Sequence, residues 1–305
     1  VTGASRGIGR SIATALAATG CDVAITARTV EPGERREHSS VSGKSDTSPL
    51  GGSLTETAEV LRAHGARVAV VPADLVEIGT LAGTVATAVA ELGPIDILVN
   101  NARFVGPGHL DRFLETPVDA LGSHLTANAT APFMLCQLVL PSMIERGTGT
   151  IINIGAAAAY GDPTKVAGAG GWGTCYGMSK AAFQRIAGFV DVEFGAAGVA
   201  AYTVNPGVVA IDRPSIDPAR AGQPRRGAPS EVIAAVVAWL AQGGERALGL
   251  RGRNIEAQFL CHELGLCPEW GGPEDLGTPI RYDEAGTLLK ALMDGVARKP
   301  APWPS

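Results

Sequence analysis

The chain has 305 residues, 46% of them hydrophobic, and carries a formal net charge of −5 from 25 basic and 30 acidic side chains. That length allows one large α/β domain or two small ones around a substantial core. The near balance of charge excludes the strong positive field that nucleic acid or an anionic membrane surface demands, so the expected partner is a small molecule.

In chain order, the first feature is the glycine-rich stretch "VTGASRGIGR" at 1–10, which opens at Val1 on the edge of a motif. Either the sequence is cropped upstream or its first strand is unusually short. A helix is expected over 7–19 with Gly20 as its stop, then a strand in "CDVAIT" (21–26). Residues 29–52 are polar and rich in Gly, Ser and Pro, so a long and mobile loop is expected there. Ser53 with Glu56 three positions on forms a capping box for a second helix that stops at Gly65. Further strands are expected at 67–73, 95–100, 150–155, 199–205 and 253–257, and a helix runs from Ser230 to Gly243. Short β-branched runs alternating with helices of ordinary length spell βαβ units. The expected fold is α/β: a single doubly wound parallel sheet with helices on both faces over residues 1–260, followed by a C-terminal extension over 261–305 with one weak helix at 283–299.

Five cysteines, Cys21, Cys136, Cys175, Cys261 and Cys267, are odd in number and scattered through apolar segments. They read as reduced thiols of a cytoplasmic protein, not as a disulfide framework. Cys261, His262 and Cys267 lack zinc-site spacing, so no metal is expected. No uninterrupted apolar run of about 18 residues suggests a membrane span, and the N-terminus lacks the build of a signal peptide.

Gly3, Gly7 and Gly9 stand between a strand end and a helix start. Glycines there let the backbone turn sharply and approach a pyrophosphate, while the helix N-terminus offers free N–H groups and the positive end of its dipole. Tyr176 and Lys180 lie four apart on a helix and so share one face. An ammonium beside a phenol favours the phenolate, which suits the tyrosine to proton transfer.

The glycine spacing in "TGASRGIG", with "ADL" at 73–75, "NNA" at 100–102, "YGMSK" at 176–180 and "NPG" at 205–207, resembles the short-chain dehydrogenase/reductase family. The motifs keep that family's order and cover residues 1 to about 260. The resemblance implies a Rossmann-type NAD(P)-binding domain that passes a hydride between nicotinamide and a carbonyl or secondary alcohol. It implies Gly3, Ser5, Arg6, Gly7, Ile8 and Gly9 at the phosphates, Asp74 and Leu75 beside the adenine, and Asn101 and Ala102 in the cleft. Pro206, Gly207 and Val209 would lie by the nicotinamide. Tyr176 would be the acid or base, Lys180 its partner and a ligand of the ribose, and Asn128 a holder of a relay water. The family commonly pairs its long helices, here about 115–145 and 174–194, in a homodimer or homotetramer.

The second strand ends "ITART" without the carboxylate that accepts a ribose 2′-hydroxyl; Arg28 and Arg6 are suited instead to a 2′-phosphate, so NADP is favoured over NAD. Four departures stand out against the family pattern. The serine that donates to the substrate carbonyl aligns with Ala156, and Ala157 to Ala159 supply no hydroxyl either. The fourth residue of the "NNAG" motif is Arg103, a candidate clamp for an anionic substrate or a cofactor phosphate. The threonine expected after "NPG" aligns with Ile211. The glycine-rich stretch 160–175 is longer than is usual and reads as a flexible flap, from which Tyr160, Thr164 or Thr174 would offer a substitute hydroxyl and Trp172 an apolar cover. Two functions follow: an NADP-dependent oxidoreductase, or a cofactor-binding protein of the same fold with a sensing or assembly role.

Overall fold

The computed structural model describes residues 1–210 and 227–273. The β-branched runs form strands β1 (Val23–Ile25), β2 (Val68–Val70), β3 (Ile97–Asn100), β4 (Gly149–Ile154) and β5 (Val199–Asn205). Two-residue strands β6 (Val209–Ala210) and β7 (Ala228–Pro229) pair with each other, and β8 (Asn254–Glu256) ends the series. Every pairing is parallel: β2 lies beside β1, and β3, β4, β5 and β8 follow in that order. Residues 1–3 join the two groups. Thr2 bridges Thr26 in parallel and donates its N–H to the Val99 carbonyl at 3.0 Å, while the Gly3 N–H reaches the Thr26 carbonyl at 2.7 Å. The strand order therefore reverses at residues 1–3, and a crevice opens at the strand ends on that line.

The helices are α1 (Gly7–Ala18), α2 (Leu54–Ala63), α3 (Leu81–Leu92), α4 (Val118–Leu125), α5 (Ala131–Arg146), α6 (Thr174–Gln184), α7 (Ile186–Phe194), α8 (Ser230–Gln242), α9 (Glu245–Leu248) and α10 (Ala257–Leu264). They cover both faces of the sheet, and alternation along the strands sorts the core. Val99, Ile152 and Tyr202 pack with Ile12 of α1, Leu61 of α2, Val236 of α8 and Leu260 of α10. Their neighbours Leu98, Ile151 and Ala201 point the other way, onto Leu81 of α3, Leu135 and Met143 of α5, Phe183 of α6 and Val190 of α7. Strands covered on both faces need continuous apolar runs, which is why β4 and β5 read as they do. The expected caps are present. Ser53 Oγ accepts the Glu56 N–H at 3.1 Å and donates to its carboxylate at 3.0 Å, and Gly20, Gly65 and Gly243 follow their helices at positive φ.

A π-helical turn, Thr126–Thr130, joins α4 to α5 in a continuous run, Val118–Arg146. By length and composition this run is apolar enough to cross a membrane, yet half of its most apolar stretch is buried inside the fold. It behaves as a core helix. Helix α10 carries the chain across position 260, and Cys261 is fully buried in the main core. Residues 274–305, with the weak helix expected at 283–299, lie outside the described residues, as does Ile211. All five cysteines are free thiols.

Segment 29–52 is the long loop expected, without helix or strand, but it is well anchored. The Glu37 carboxylate gathers the N–H groups of Ser39 and Asp46 and the Ser45 hydroxyl, which together hold it down to about 2. Asp111, from the loop after β3, accepts from the Ser42 N–H at 2.9 Å, the Ser42 hydroxyl at 2.7 Å and the Gly108 N–H at 2.7 Å.

One close approach fixes where α1 meets the sheet. A Cβ on Gly9 would come within 2.2 Å of the Gly3 carbonyl oxygen and 2.4 Å of Asn101 Nδ2. Gly9→Ala is expected to destabilise the fold by about 1–3 kcal/mol through overpacking, whereas Gly83→Ala, in α3 with open space around it, should be neutral or stabilising by up to about 1 kcal/mol. Urea unfolding of the two variants beside wild type checks this; equal midpoints for Gly9→Ala and wild type would refute the contact.

Candidate active site

A cleft of about 1070 Å³ runs from the start of α1 to α6. Its first end is lined by Gly3, Ser5, Arg6, Gly7, Ile8 and Gly9, with Gly3 and Gly7 at φ values of +68° and +52°. The residue before α1, Arg6, is extended and gives no side-chain cap, and no acidic residue sits in the first turn. The leading N–H groups of α1 thus face the cleft unblocked, which fits a pyrophosphate.

Asn101 ties this loop to the end of β3. Its Nδ2 donates to the carbonyls of Thr2 at 2.8 Å and Gly3 at 3.3 Å, and the Thr2 hydroxyl oxygen accepts from the N–H groups of Asn101 and Ala102, both at 3.0 Å. Asn100 is a strand-end staple: its Nδ2 donates to Asn153 Oδ1 of β4 at 2.9 Å.

Past the loop, cations gather. Arg6 Nη2 donates to the Thr29 hydroxyl and the Gly52 carbonyl, each at 3.0 Å, and burial together with neighbouring Arg28 lowers its pKa. Arg28 Nη1 stands 3.8 Å from Asp74 Oδ2, and Leu75 lines the wall beside them. The 29–52 loop adds Arg36, paired with Glu34, and His38, neither of them singled out from the sequence. Their only sequence signal is the charge run "ERREH" at 34–38.

At the other end, α6 presents Tyr176 and Lys180. Lys180 is buried, and its Nζ donates to the Ile154 carbonyl at the end of β4 at 2.9 Å, with the Phe183 ring 4.6 Å away. Burial, then the charge of Arg103, brings its pKa down to about 7. Burial pushes the Tyr176 phenol up, opposed by Arg103, whose guanidinium lies 5.8 Å from the ring centroid. The buried His109 ring packs on Tyr176 at 4.4 Å between centroids. Nothing in the sequence marked His109, a histidine in an irregular Gly and Pro loop.

Asn128 does not line the cleft. From the π-helical turn, its Oδ1 accepts the Phe104 N–H at 2.6 Å and its Nδ2 donates to Ser179 Oγ at 2.9 Å, while that hydroxyl donates to the Tyr176 carbonyl at 3.0 Å. The amide positions α6 against the loop after β3. Pro206 reaches the cleft; Gly207 and Val209 lie beside it, with Gln258 Nε2 held by the carbonyls of Pro206 and Val208.

Ala156 leads from β4 into a short turn, Ala157–Ala159. None of the hydroxyls expected to substitute lines the cleft. Tyr160 accepts from Asn205 Nδ2 and donates to Glu256, and Thr164 is exposed. Trp172 is also absent from the lining; its indole nitrogen lies near Gly177.

The family profile for short chain dehydrogenase matches residues 1–49 and 48–215. The chain belongs to this family. A short chain dehydrogenase of Pseudocercospora fijiensis is 32% identical over 212 residues, covering 68% of this chain and 58% of that protein. Among solved structures, a short-chain dehydrogenase/reductase from Serratia marcescens aligns with a TM-score of 0.65 at 28% identity, over 84% of this chain and 93% of that one. A metagenomic short-chain oxidoreductase in complex with NADP aligns at 0.63 and 25% identity, over 84% and 93%. The fold is thus the family's NAD(P)-binding Rossmann sheet.

The buried lysine of this family member has a consequence for stability. Folded Lys180 releases its proton near pH 7, against 10.5 for a free lysine, so between those values the unfolded chain binds the extra proton and stability rises with pH. The melting temperature should climb across that window, and Lys180→Met should flatten the climb. An unchanged slope in the variant would show that Lys180 is charged in the fold.

Proposed function

We propose that the protein is an NADP-dependent oxidoreductase that interconverts a ketone and a secondary alcohol, with Tyr176 as the acid or base. The observation that carries this reading is one continuous cleft that joins the uncapped start of α1 to the paired Tyr176 and Lys180. A bound reduced nicotinamide supplies the hydride. Tyr176 hands its phenolic proton to the carbonyl oxygen, and burial keeps that proton in place until then. Arg103 stabilises the phenolate left behind. Asn128 and Ser179 fix the helix that aims the tyrosine. Lys180, anchored on the Ile154 carbonyl, stands one helical turn below to hold the ribose.

The choice of NADP is supported by Arg6, Arg28 and Arg36 around the end of the cleft where a 2′-phosphate would lie, and by the NADP carried by the metagenomic relative. Exposed Phe133 on α5, Met178 on α6 and Phe189 and Val192 on α7 support a homodimer or homotetramer built on those helices. Localisation in the cytoplasm belongs to the same reading, on the free cysteines.

The second reading, a binding protein with a sensing or assembly role, draws on Ala156. Loss of one oxyanion donor typically lowers turnover by two to three powers of ten, about 3–4 kcal/mol in the transition state. A site otherwise intact is slowed by that loss but keeps its chemistry.

Tyr176→Phe is expected to cut NADPH oxidation against a panel of ketones by at least about a hundredfold; unchanged rates would remove Tyr176 from the mechanism. In fluorescence titrations, Arg28→Ala should weaken NADPH far more than NADH, and equal losses would sink the 2′-phosphate assignment. If the whole panel is silent with wild type and with Ala156→Ser alike, the binding-protein reading prevails.

A further inference from the structure

Arg103 departs most from what a hydride-transfer site of this build requires. Its Nη1 is engaged within its own loop, donating to the Phe104 carbonyl at 3.3 Å and lying 3.5 Å from His109 Nδ1. Its Nε and Nη2 have no hydrogen-bond partner among the described residues, and the residue lines the cleft. Among those residues no carboxylate pairs with it either. The acid nearest in the loop, Asp111, is committed to the Ser42 N–H and hydroxyl and to the Gly108 N–H. A cation drawn out of bulk water without a counter-charge is costly, and such groups are retained where a ligand supplies the missing charge.

Which ligand brings the anion follows from position. The cofactor phosphates have their own cradle at the start of α1, with Arg6, Arg28 and Arg36 around it. Arg103 lies at the opposite end, over the Tyr176 ring at 5.8 Å and beside the buried His109. The substrate occupies that end. The turn after β4, Ala157–Ala159 with Ala156 before it, carries no hydroxyl or charge that would compete for the substrate. A ketone oxygen alone would accept a hydrogen bond and leave the guanidinium charge unmatched. A carboxylate matches the planar fork with two parallel hydrogen bonds and cancels the charge.

We infer that Arg103 is the subsite for a carboxylate carried by the substrate close to its reacting carbonyl, so that the substrates are oxo acids and the corresponding hydroxy acids. This rests on the reading of Tyr176 as the proton donor, because Tyr176 defines where the carbonyl sits.

The test is a binding measurement, which needs no turnover. The protein, mixed with excess NADP, is titrated calorimetrically with 2-oxohexanoate, with 3-oxohexanoate and with the methyl ester of each. At least one acid should bind about tenfold or more tightly than its ester. Arg103→Gln should erase that ratio while NADP binding stays close to wild type, and Arg103→Lys, a point charge without the fork, should keep part of it. Equal affinities for acid and ester, an unchanged ratio in Arg103→Gln, or no binding of either acid up to about 10 mM would overturn the inference. Should Arg103→Gln fail to fold, the partial loss in Arg103→Lys decides. With the oxo acids included in the panel, no turnover of any compound beside a clear binding preference for the acids would sink the reductase reading and leave Arg103 as an anion subsite only, whereas turnover with no such preference would sink only this inference.

Discussion

The carbonyl oxygen of Gly3 is approached from two sides: Asn101 Nδ2 donates to it at 3.3 Å, and the bare Cα of Gly9 comes so near that a methyl group would reach within 2.2 Å of it. Around that oxygen three elements converge, namely residues 1–3, the end of β3 and the first turn of α1. Because the strand order reverses there, neighbouring connections leave on opposite faces of the sheet and no helix covers the ends of those strands. The crevice follows from topology, and glycine and asparagine set its depth. With Gly9 bare, α1 sits close enough to present its open N–H groups to the cleft floor. With Asn101 bonded to Thr2 and Gly3, the loop that carries Arg103 leaves β3 in a fixed direction.

The two ends of the cleft are also coupled above the sheet. The 29–52 segment supplies Arg36 and His38 at the end nearer the start of α1, and its Gly52 carbonyl holds Arg6. The same segment reaches the loop after β3, where Ser42 bonds to Asp111 and the Ser40 carbonyl accepts the Leu110 N–H at 2.9 Å. That loop in turn holds the 160–175 segment, since the Gly173 N–H donates to the His109 carbonyl at 2.7 Å. Three irregular segments are thus joined by backbone and side-chain hydrogen bonds.

Most of the fold was legible because periodic patterns report on burial directly. Ile151 and Ile152 face opposite cores, so β4 has to be apolar at both, and the run "TIINI" announces a central parallel strand. Capping is equally local: Ser53 and Glu56 lie one turn apart and find each other without help from the rest of the chain. The site was legible where motifs carry it, in the glycine loop and in Tyr176 and Lys180. It was illegible where it depends on irregular segments. His109 reaches Tyr176 from a loop of no fixed period, and Lys180 chooses a backbone carbonyl, Ile154, that carries no residue identity. Asn128 was given the holding of a relay water by resemblance, and its side chain bonds the Phe104 N–H and Ser179 Oγ, partners that no motif announces. The substitute hydroxyls failed for a related reason. Tyr160 has a phenol to offer, but Asn205 and Glu256, distant in sequence, take it first.

The replacement of a hydroxyl by alanine at 156 and the presence of a guanidinium at 103 are best understood together. A serine donor contributes one neutral hydrogen bond, whereas a guanidinium contributes charge-assisted ones roughly twice as strong. Arg103 also acts on both Tyr176 and Lys180. Burial, joined by the Arg103 charge, drives Lys180 toward neutrality, and the same guanidinium partly offsets the rise that burial imposes on the Tyr176 phenol. On the proposed mechanism, the positive charge beside Tyr176 thereby rests on a group that does not titrate. A permanent cation in that place no longer depends on pH for its charge, but it demands an anion whenever the phenol is neutral. Among the described residues, the nearest acid of its loop, Asp111, is already bonded elsewhere, so on the proposed reading the requirement falls on what enters the cleft.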